Sequence, residues 1–251
     1  MLKFDAALHP NVTGSLTPNQ GKGGMTNLLT AATAALFSLS LYACAPAQTA
    51  DATDGAVQSA APAPTSGPQA LFKNTRSDGL EEMIVAGGCF WCTESDFEKI
   101  TGVREAVSGY TGGTLDNPGY KQVGTNNTGH YEAVKVTYDP SVVTYRQLVD
   151  FYWKTVDPTD DRGQFCDKGA SYRTAIFVTP EQRQDAVESL ANIKASKPFS
   201  AEIVTPILPA VTFYDAEAYH QNYYKRNALR YKYYRNGCGR DKKLQQLWGE
   251  G

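Results

Sequence analysis

Cysteine, net charge and internal repeats are all scarce in this chain of 251 residues, and each scarcity excludes a class of protein. Five cysteines are too few for a disulfide-built scaffold of this size, so each needs its own explanation. A formal net charge of −2 gives no reason to expect a nucleic acid or an acidic partner. No internal repeat is visible, and with 41% apolar residues the chain can bury one sizeable core or two small ones.

An uncharged segment, Thr26–Ala43, directly precedes Cys44. It is short for a membrane span and suits the apolar region of an export signal. The residues from Leu41 to Cys44 resemble a bacterial lipobox, in which the signal is cut before a cysteine that then carries acyl chains. We therefore expect residues 1–44 to be a leader with a lipoprotein-type signal, lipidated at Cys44. An uncleaved anchor or a chance apolar run is the alternative.

This interpretation predicts a protein of the bacterial cell envelope that is lipid-anchored to a membrane and faces the periplasm. It leaves open whether translation starts at Met1 or at Met25. Residues 45–75 are rich in Ala, Pro, Thr, Ser and Gly and predict a flexible linker, because they cannot bury enough apolar surface to offset their ordering entropy. Residues 76–251 then form the folded, catalytic domain with a C-terminal tail.

Apolar periodicity in this domain predicts an α/β two-layer sandwich. Strands are expected at 81–88, 103–110, 131–138, 173–178 and 201–207, with helices at 90–100, 144–156 and 179–196. Capping-box patterns open the last two helices, "TYRQ" from Thr144 and "TPEQ" from Thr179. The order β-α-β-β-α-β, with one additional helix inside it, favours a ferredoxin-like core. The irregular stretches 111–129 and 157–171 are long enough to carry function.

Cys89 follows two glycines, where the chain passes from a strand into a helix. A helix N-terminus stabilises a thiolate, so this position suits a nucleophile, with a buried structural cysteine as the alternative. Together with Cys92 it forms a C-F-W-C motif. A zinc half-site would need a second cysteine pair, which the sequence lacks, and Thr93 excludes haem attachment. A thioredoxin-like redox pair remains open.

Cys238 lies between two glycines near the C-terminus. Glycines allow movement, and nearby cations favour a thiolate, which is the environment of a resolving cysteine that attacks an oxidised partner. The neighbouring basic residues are Arg235, Arg240, Lys242 and Lys243. A spare cysteine in a frayed tail is the alternative.

Six ordered motifs, spanning about Met83 to Cys238, resemble the peptide methionine sulfoxide reductase A family. They are "GGCFW" (87–91), "GYTGG" (109–113), "NPGY" (117–120), "TGHYEAVKVTYDP" (128–140), "DKGASYR" (167–173) and "FYDAEAYHQNY" (213–223). The resemblance implies an enzyme that reduces methionine S-sulfoxide, free or in oxidised proteins, and so repairs oxidative damage.

The resemblance also implies roles for individual residues. Cys89 attacks the sulfoxide sulfur, and Glu132 supplies the proton that the oxygen needs. Tyr120 and Tyr172 donate hydrogen bonds to the same oxygen. The residues expected to bind the rest of the substrate are Phe90, Trp91 and Asp167. His130 and His220 are expected to be framework residues.

Turnover leaves a sulfenic acid on Cys89 that a second thiol converts to a disulfide. We expect Cys238 to resolve first, because Glu94 and Asp96 disfavour an anion at Cys92, the candidate second resolving thiol. Cys166 is the third option. The reductant is expected to be a thioredoxin-like protein or a small dithiol, with no metal, no other cofactor and a monomeric protein.

Other functions make different demands on these residues. A thiol–disulfide oxidoreductase using Cys89 and Cys92 gives no role to Glu132 or the tyrosines. A lipid-anchored binding module without activity would not need the catalytic set, which consists of Cys89, Glu132, Tyr120 and Tyr172. The basic and aromatic run "YYKRNALRYKYYR" is consistent with RNA binding, but we interpret it as an amphipathic packed segment.

Overall fold

The computed structural model describes residues 75–249. The leader, Cys44 and the linker expected from the sequence, apart from residue 75, lie outside this range. Within it the strands are β1 Glu81–Gly87, β2 Val103–Thr111, β3 Tyr131–Tyr138, β4 Gly163–Gln164, β5 Asp167–Lys168, β6 Thr174–Val178, β7 Ile207–Pro209 and β8 Tyr214–Asp215. The helices are α1 Phe90–Phe97, α2 Tyr120–Val123, α3 Tyr145–Lys154, α4 Arg183–Ser196, α5 Tyr223–Arg226, α6 Ala228–Gly237 and α7 Arg240–Trp248.

One six-stranded sheet organises the domain, in the order β7-β6-β1-β3-β2-β8. The four central strands pair antiparallel, with Val85 opposite Val134 and Ile84 opposite Phe177. With the four-residue α2 and the short strands β4 and β5 left out, the unit β1-α1-β2-β3-α3-β6 has the predicted β-α-β-β-α-β order and confirms the α/β sandwich. The additional helix is α4, which follows this unit instead of lying inside it and leads to β7, parallel to β6.

Two apolar clusters cover the two faces of the sheet. Side chains alternate along β1, so Met83 and Val85 join the large cluster while Ile84 and Ala86 join the smaller one. The large cluster contains the buried faces of α1, α3 and α4. Within residues 75–249, no helix is long and apolar enough to cross a membrane.

Both predicted capping boxes form. Thr144 Oγ1 accepts from Gln147 N at 3.2 Å, and Gln147 Oε1 accepts from Thr144 N at 2.9 Å. Thr179 and Gln182 make the same reciprocal pair at 3.2 and 3.3 Å, one turn before α4 begins at Arg183. Such caps satisfy amide groups that have no partner inside the helix.

The last predicted strand is wrong in its position. Residues 201–206 are irregular, and the strand starts only at Ile207. Pro206 has no N–H to donate, although its carbonyl accepts from Ile176 N at 3.0 Å. Val204 N donates to Pro158 O at 2.8 Å, which holds the irregular segment on the 157–171 loop instead of on the sheet.

Candidate active site

The site lies where β1 ends and α1 begins. Gly88 has φ +81°, and a Cβ there would come within 2.5 Å of Gln164 Cβ, so the turn requires glycine. Cys89 is the N-cap residue of α1, and its carbonyl accepts from Cys92 N at 3.1 Å and Thr93 N at 3.3 Å. The turn thus fixes both cysteines of the C-F-W-C motif on the first turn of one short helix.

A cavity of about 70 Å³ opens beside the Cys89 sulfur. The structure brings all seven residues predicted for substrate chemistry together in its wall, from α1, α2, β3 and the 157–171 loop with the 3₁₀ turn that follows it. The lining residues are Cys89, Phe90, Trp91, Tyr120, Glu132, Asp167, Tyr172 and Tyr234. Tyr234 is the member that sequence reasoning missed.

Glu132 is the buried acid of this cavity. Its side chain comes from β3, is 3% exposed and accepts a hydrogen bond from Phe90 N at 3.1 Å. Burial raises the pKa of Glu132 to about 8, only partly opposed by that hydrogen bond. Glu132 is therefore protonated at neutral pH and can give a proton to a group bound in the cavity.

Two phenol groups complete the polar side of the cavity. Burial raises the pKa of both Tyr120 and Tyr172, so each hydroxyl stays a proton-bearing donor. The two hydroxyls are hydrogen-bonded to each other. Glu217 fixes the start of α2 by accepting from Tyr120 N at 2.9 Å.

The apolar wall is held by an aromatic stack. The Trp91 ring lies on the Tyr223 ring with centroids 3.8 Å apart and planes 7° apart. Trp91 Nε1 donates to His220 Nδ1 at 3.1 Å, and His220 is buried. Burial lowers the pKa of His220, so it acts as a neutral framework acceptor here. His130 is likewise held by the backbone, at Gly113 N (3.2 Å) and Leu115 O (2.8 Å).

The two buried thiols differ in acidity. Burial and the neighbouring Cys92 sulfur raise the pKa of Cys89 well above its usual value. The hydrogen bond from Cys89, together with the charges of Arg240 and Arg235, lowers the pKa of Cys92 to about 7. Cys92 is therefore the more acidic of the two thiols, whereas helix position alone predicted the lowered pKa at Cys89.

Of the two acidic residues expected to disfavour an anion at Cys92, Asp96 has that effect, whereas Glu94 has other partners. Glu94 is fully buried and accepts hydrogen bonds from Ser108 Oγ at 2.6 Å and Asn222 N at 2.5 Å. Asp96 does oppose an anion at Cys92, but it is outweighed by the arginine charges. These partners come from distant segments, so neighbours in sequence were a poor guide.

Cys238 is not the free thiol that the sequence suggested. Its sulfur is bonded to Cys166, 72 residues earlier, with the Cα atoms 4.9 Å apart. Cys89 and Cys92 are the free cysteines among residues 75–249. The basic residues expected around Cys238 have other partners: Arg235 binds Asp96 and Asp241, and Lys243 lies 3.5 Å from Asp157.

Tyr234 reaches the cavity from α6. Its hydroxyl is hydrogen-bonded to Asp167 and to the Cys89 sulfur, and its ring meets Trp91 edge-on at 5.9 Å. It belongs to the basic and aromatic run, which does pack against the domain: Tyr223 and Tyr231 are buried with the two cysteines. The signal that could have found it is its position one helical turn before Cys238.

Comparison with known proteins identifies the family. Residues 81–251 match the family model described as peptide methionine sulfoxide reductase. A Caulobacter vibrioides protein named peptide methionine sulfoxide reductase MsrA 2 is 54% identical over 169 residues, which cover 67% of this chain and 86% of that protein. A Halalkalibacterium halodurans protein named peptide methionine sulfoxide reductase MsrA is 48% identical over 172 residues, 68% of this chain and 98% of that protein.

Solved structures agree with these relatives. Methionine sulfoxide reductase A of Corynebacterium diphtheriae superposes with a TM-score of 0.54 at 32% identity, over 66% of this chain and 84% of that one. Reduced Mxr1 of Saccharomyces cerevisiae gives 0.57 at 30% identity, over 61% and 89% of the two chains. The chain therefore belongs to the peptide methionine sulfoxide reductase A family and is an oxidoreductase.

Proposed function

We propose that the chain reduces methionine S-sulfoxide, free or within oxidised proteins, to methionine. One observation carries the proposal: a thiol, a buried carboxylic acid and two phenol groups line one cavity of about 70 Å³. The names of the relatives support the same substrate. The competing thiol–disulfide oxidoreductase, which would use Cys89 and Cys92, gives no role to Glu132, Tyr120 or Tyr172, although all three line the cavity beside Cys89.

The first half-reaction transfers the oxygen. The Cys89 sulfur attacks the sulfoxide sulfur, and the Cys89 thiol proton moves to the Cys92 sulfur. Glu132 protonates the sulfoxide oxygen, which Tyr120 and Tyr172 hold by hydrogen bonds. The new bond between the two sulfurs then breaks as the hydroxyl group passes to Cys89, so methionine leaves with two electrons gained and Cys89 becomes a sulfenic acid.

The remaining wall residues select the substrate. Phe90 is buried and Trp91 is partly buried, so together they offer the methyl group an apolar surface. Asp167 is hydrogen-bonded to Tyr234 and orients the hydroxyl groups around the substrate. The R epimer would direct its oxygen away from Glu132, so the arrangement favours the S epimer.

The second half-reaction removes the sulfenic acid. Cys92 is a free thiol buried in one cluster with Cys89, whereas Cys238 is bonded to Cys166, so the proposal assigns the resolving step to Cys92 in place of Cys238. Cys92 attacks the Cys89 sulfur, a disulfide forms, and the oxygen leaves as water. A thioredoxin-like protein or a small dithiol then reduces the disulfide by exchange, and no other cofactor is needed.

Reduction of racemic methionine sulfoxide with a dithiol tests this proposal. The wild type is expected to stop near half conversion, with the R epimer left. Cys89→Ser should form no methionine, because a hydroxyl is a far poorer nucleophile. Cys166→Ser is the matched control: it opens the Cys166–Cys238 disulfide but leaves the cavity wall intact, so it should still release methionine from the S epimer in the first turnover. Full conversion by the wild type, or multiple turnovers by Cys89→Ser, contradicts the proposal.

We also propose that this repair takes place in the cell envelope, with the protein anchored by a lipid on Cys44. Support comes from the uncharged segment and the lipobox-like residues that precede Cys44. Fractionation of a Gram-negative host should find the wild type in membranes and Cys44→Ala without acyl chains. Soluble, unprocessed wild-type protein would contradict the anchor.

A further inference from the structure

Two arginines of the C-terminal tail reach the underside of α1. Arg240 is 2% exposed and donates to Gly87 O at 3.0 Å and to Thr155 O at 2.7 Å. Arg235 donates to Asp96 Oδ1 at 2.8 Å. We call Arg235 and Arg240 the arginine pair. Because Asp96 follows Cys92 by one helical turn, the arginine pair lies on the face of α1 that carries Cys92.

The two arginines share one buried carboxylate, and one guanidinium N–H has no hydrogen-bond acceptor within residues 75–249. Asp96 is the carboxylate that faces both guanidinium groups, at 2.8 Å from Arg235 and 3.8 Å from Arg240. The other carboxylate on Arg235 belongs to Asp241, which is 58% exposed. Among the described residues Arg240 Nε has no hydrogen-bond partner, although it is buried. A buried guanidinium N–H without an acceptor is costly, so the surroundings of Arg240 favour an additional negative group.

We propose that the arginine pair activates Cys92 as the thiolate that resolves the Cys89 sulfenic acid. The inference rests on the proposed function and deepens it. In this account the tail contributes the positive charges of the arginine pair, and the Cys166–Cys238 disulfide restrains the tail. Arg235 and Arg240 are positioning residues, because they act through Cys92 and do not touch the substrate.

The titration of Cys92 supports the same assignment. Its pKa is lowered to about 7 first by the Cys89 hydrogen bond, and then by Arg240 and Arg235 against the opposing effect of burial and of Asp96. The charged and titratable groups that face Cys92 are Cys89 and Asp96 on α1, Glu132 on β3, Tyr231 and Arg235 on α6, and Arg240 on α7. Of these, the arginines are the cations.

The Cys166–Cys238 disulfide holds the arginine pair in place. Cys238 lies between Arg235 and Arg240, at the junction of α6 and α7. Gly239 makes the junction with φ +68°, and Cys238 N donates to Tyr234 O at 2.9 Å. The disulfide ties this junction to the loop that carries Asp167. A restrained junction presents both guanidinium groups to α1.

The test measures how the resolving step depends on pH. Protein with free Cys89 and Cys92 is mixed with one equivalent of methionine S-sulfoxide, and the surviving sulfenic acid is trapped with a dimedone-type reagent at successive times. In the wild type the rate should rise with pH as Cys92 loses its proton and then level off. Arg235→Met and Arg240→Met should move the midpoint to higher pH, because a lost cation destabilises the thiolate. A midpoint one pH unit higher means about a tenfold slower step below it.

Three comparisons separate charge from packing. Arg240→Lys keeps the charge and should restore most of the wild-type midpoint. Arg230→Met removes an exposed arginine of α6 and should leave the midpoint unchanged. The rates of all variants should converge at high pH, where every Cys92 is ionised. If Arg240→Met does not fold, Arg235→Met decides the question, because that side chain is partly exposed.

The inference and the proposed function fail in different ways. Equal midpoints for wild type, Arg235→Met and Arg240→Met would overturn the inference, and so would a Cys89–Cys238 disulfide in the wild-type product. Methionine released in the first turnover would in either case still support the proposed function. If no methionine forms in the wild type, the proposed function itself is wrong.

Discussion

At the level of single residues, burial sets the protonation state of the groups that line the cavity. Glu132 and Asp167 are both carboxyl groups whose pKa is raised by burial, and for Glu132 it reaches about 8. Cys89 is also kept protonated by burial, while the pKa of its neighbour Cys92 is lowered to about 7. Glu132 is thus still a proton donor at the pH at which Cys92 begins to ionise.

Glu132→Gln tests the proton donor. The amide keeps the size of the side chain but cannot supply a proton, so the single-turnover rate of methionine formation should fall by ~10²–10⁴. In the wild type this rate should decline as pH rises through about 8, because the raised pKa makes the acid form available below that pH and removes it above. The amide variant should lack this decline.

The control for this variant is alkylation of the protein with a small thiol reagent. Cys89 should remain modifiable in Glu132→Gln, which shows that the nucleophile is intact. An unchanged rate in Glu132→Gln would move the proton donor to Tyr120 or Tyr172.

The sequence predicted seven of the residues that line the cavity, but not the arginine charges that act on Cys92 from α6 and α7. The seven predicted wall residues lie within recognisable motifs, so their convergence could be foreseen from the sequence. Tyr234 and the arginine pair act on α1 from more than a hundred residues away, and no local pattern reports such contacts. For the same reason the sequence showed Asp96, which raises the pKa of Cys92, but not the arginines that lower it.

At the level of elements, local signals located the helices better than the last strand. The capping boxes at Thr144 and Thr179 form because they need only residues three apart. The final strand depends on a register with β6, which starts only after Pro206. Sequence showed an apolar run there but not which of its residues would reach the sheet.

Element order was predicted well, and the function of the loops follows from it. The expected strands β1, β2, β3 and β6 form the centre of the sheet. The 111–129 loop contains α2 with Tyr120, and the 157–171 loop contains Asp167. Both loops meet at the N-terminus of α1 because each leads into a strand that pairs with β1, the first loop into β3 and the second into β6.

At the level of the whole molecule, three distant parts of the chain build one site. The strand–helix turn supplies both thiols, the loops supply the polar wall, and the tail helices α6 and α7 return to cover α1. The Cys166–Cys238 disulfide joins the loop to the tail. The sequence alone suggested a mobile resolving thiol at Cys238, because a disulfide to Cys166, 72 residues away, leaves no local signal.

The most direct test of this account is a disulfide map after one turnover. Protein with Cys166–Cys238 intact and both buried thiols free is given one equivalent of methionine S-sulfoxide, then quenched with an alkylating reagent, digested and analysed by mass spectrometry. The account predicts one methionine released, a new Cys89–Cys92 disulfide and an unchanged Cys166–Cys238 disulfide. A product in which Cys89 is joined to Cys238, or in which both buried thiols remain alkylatable and no methionine appears, would contradict it.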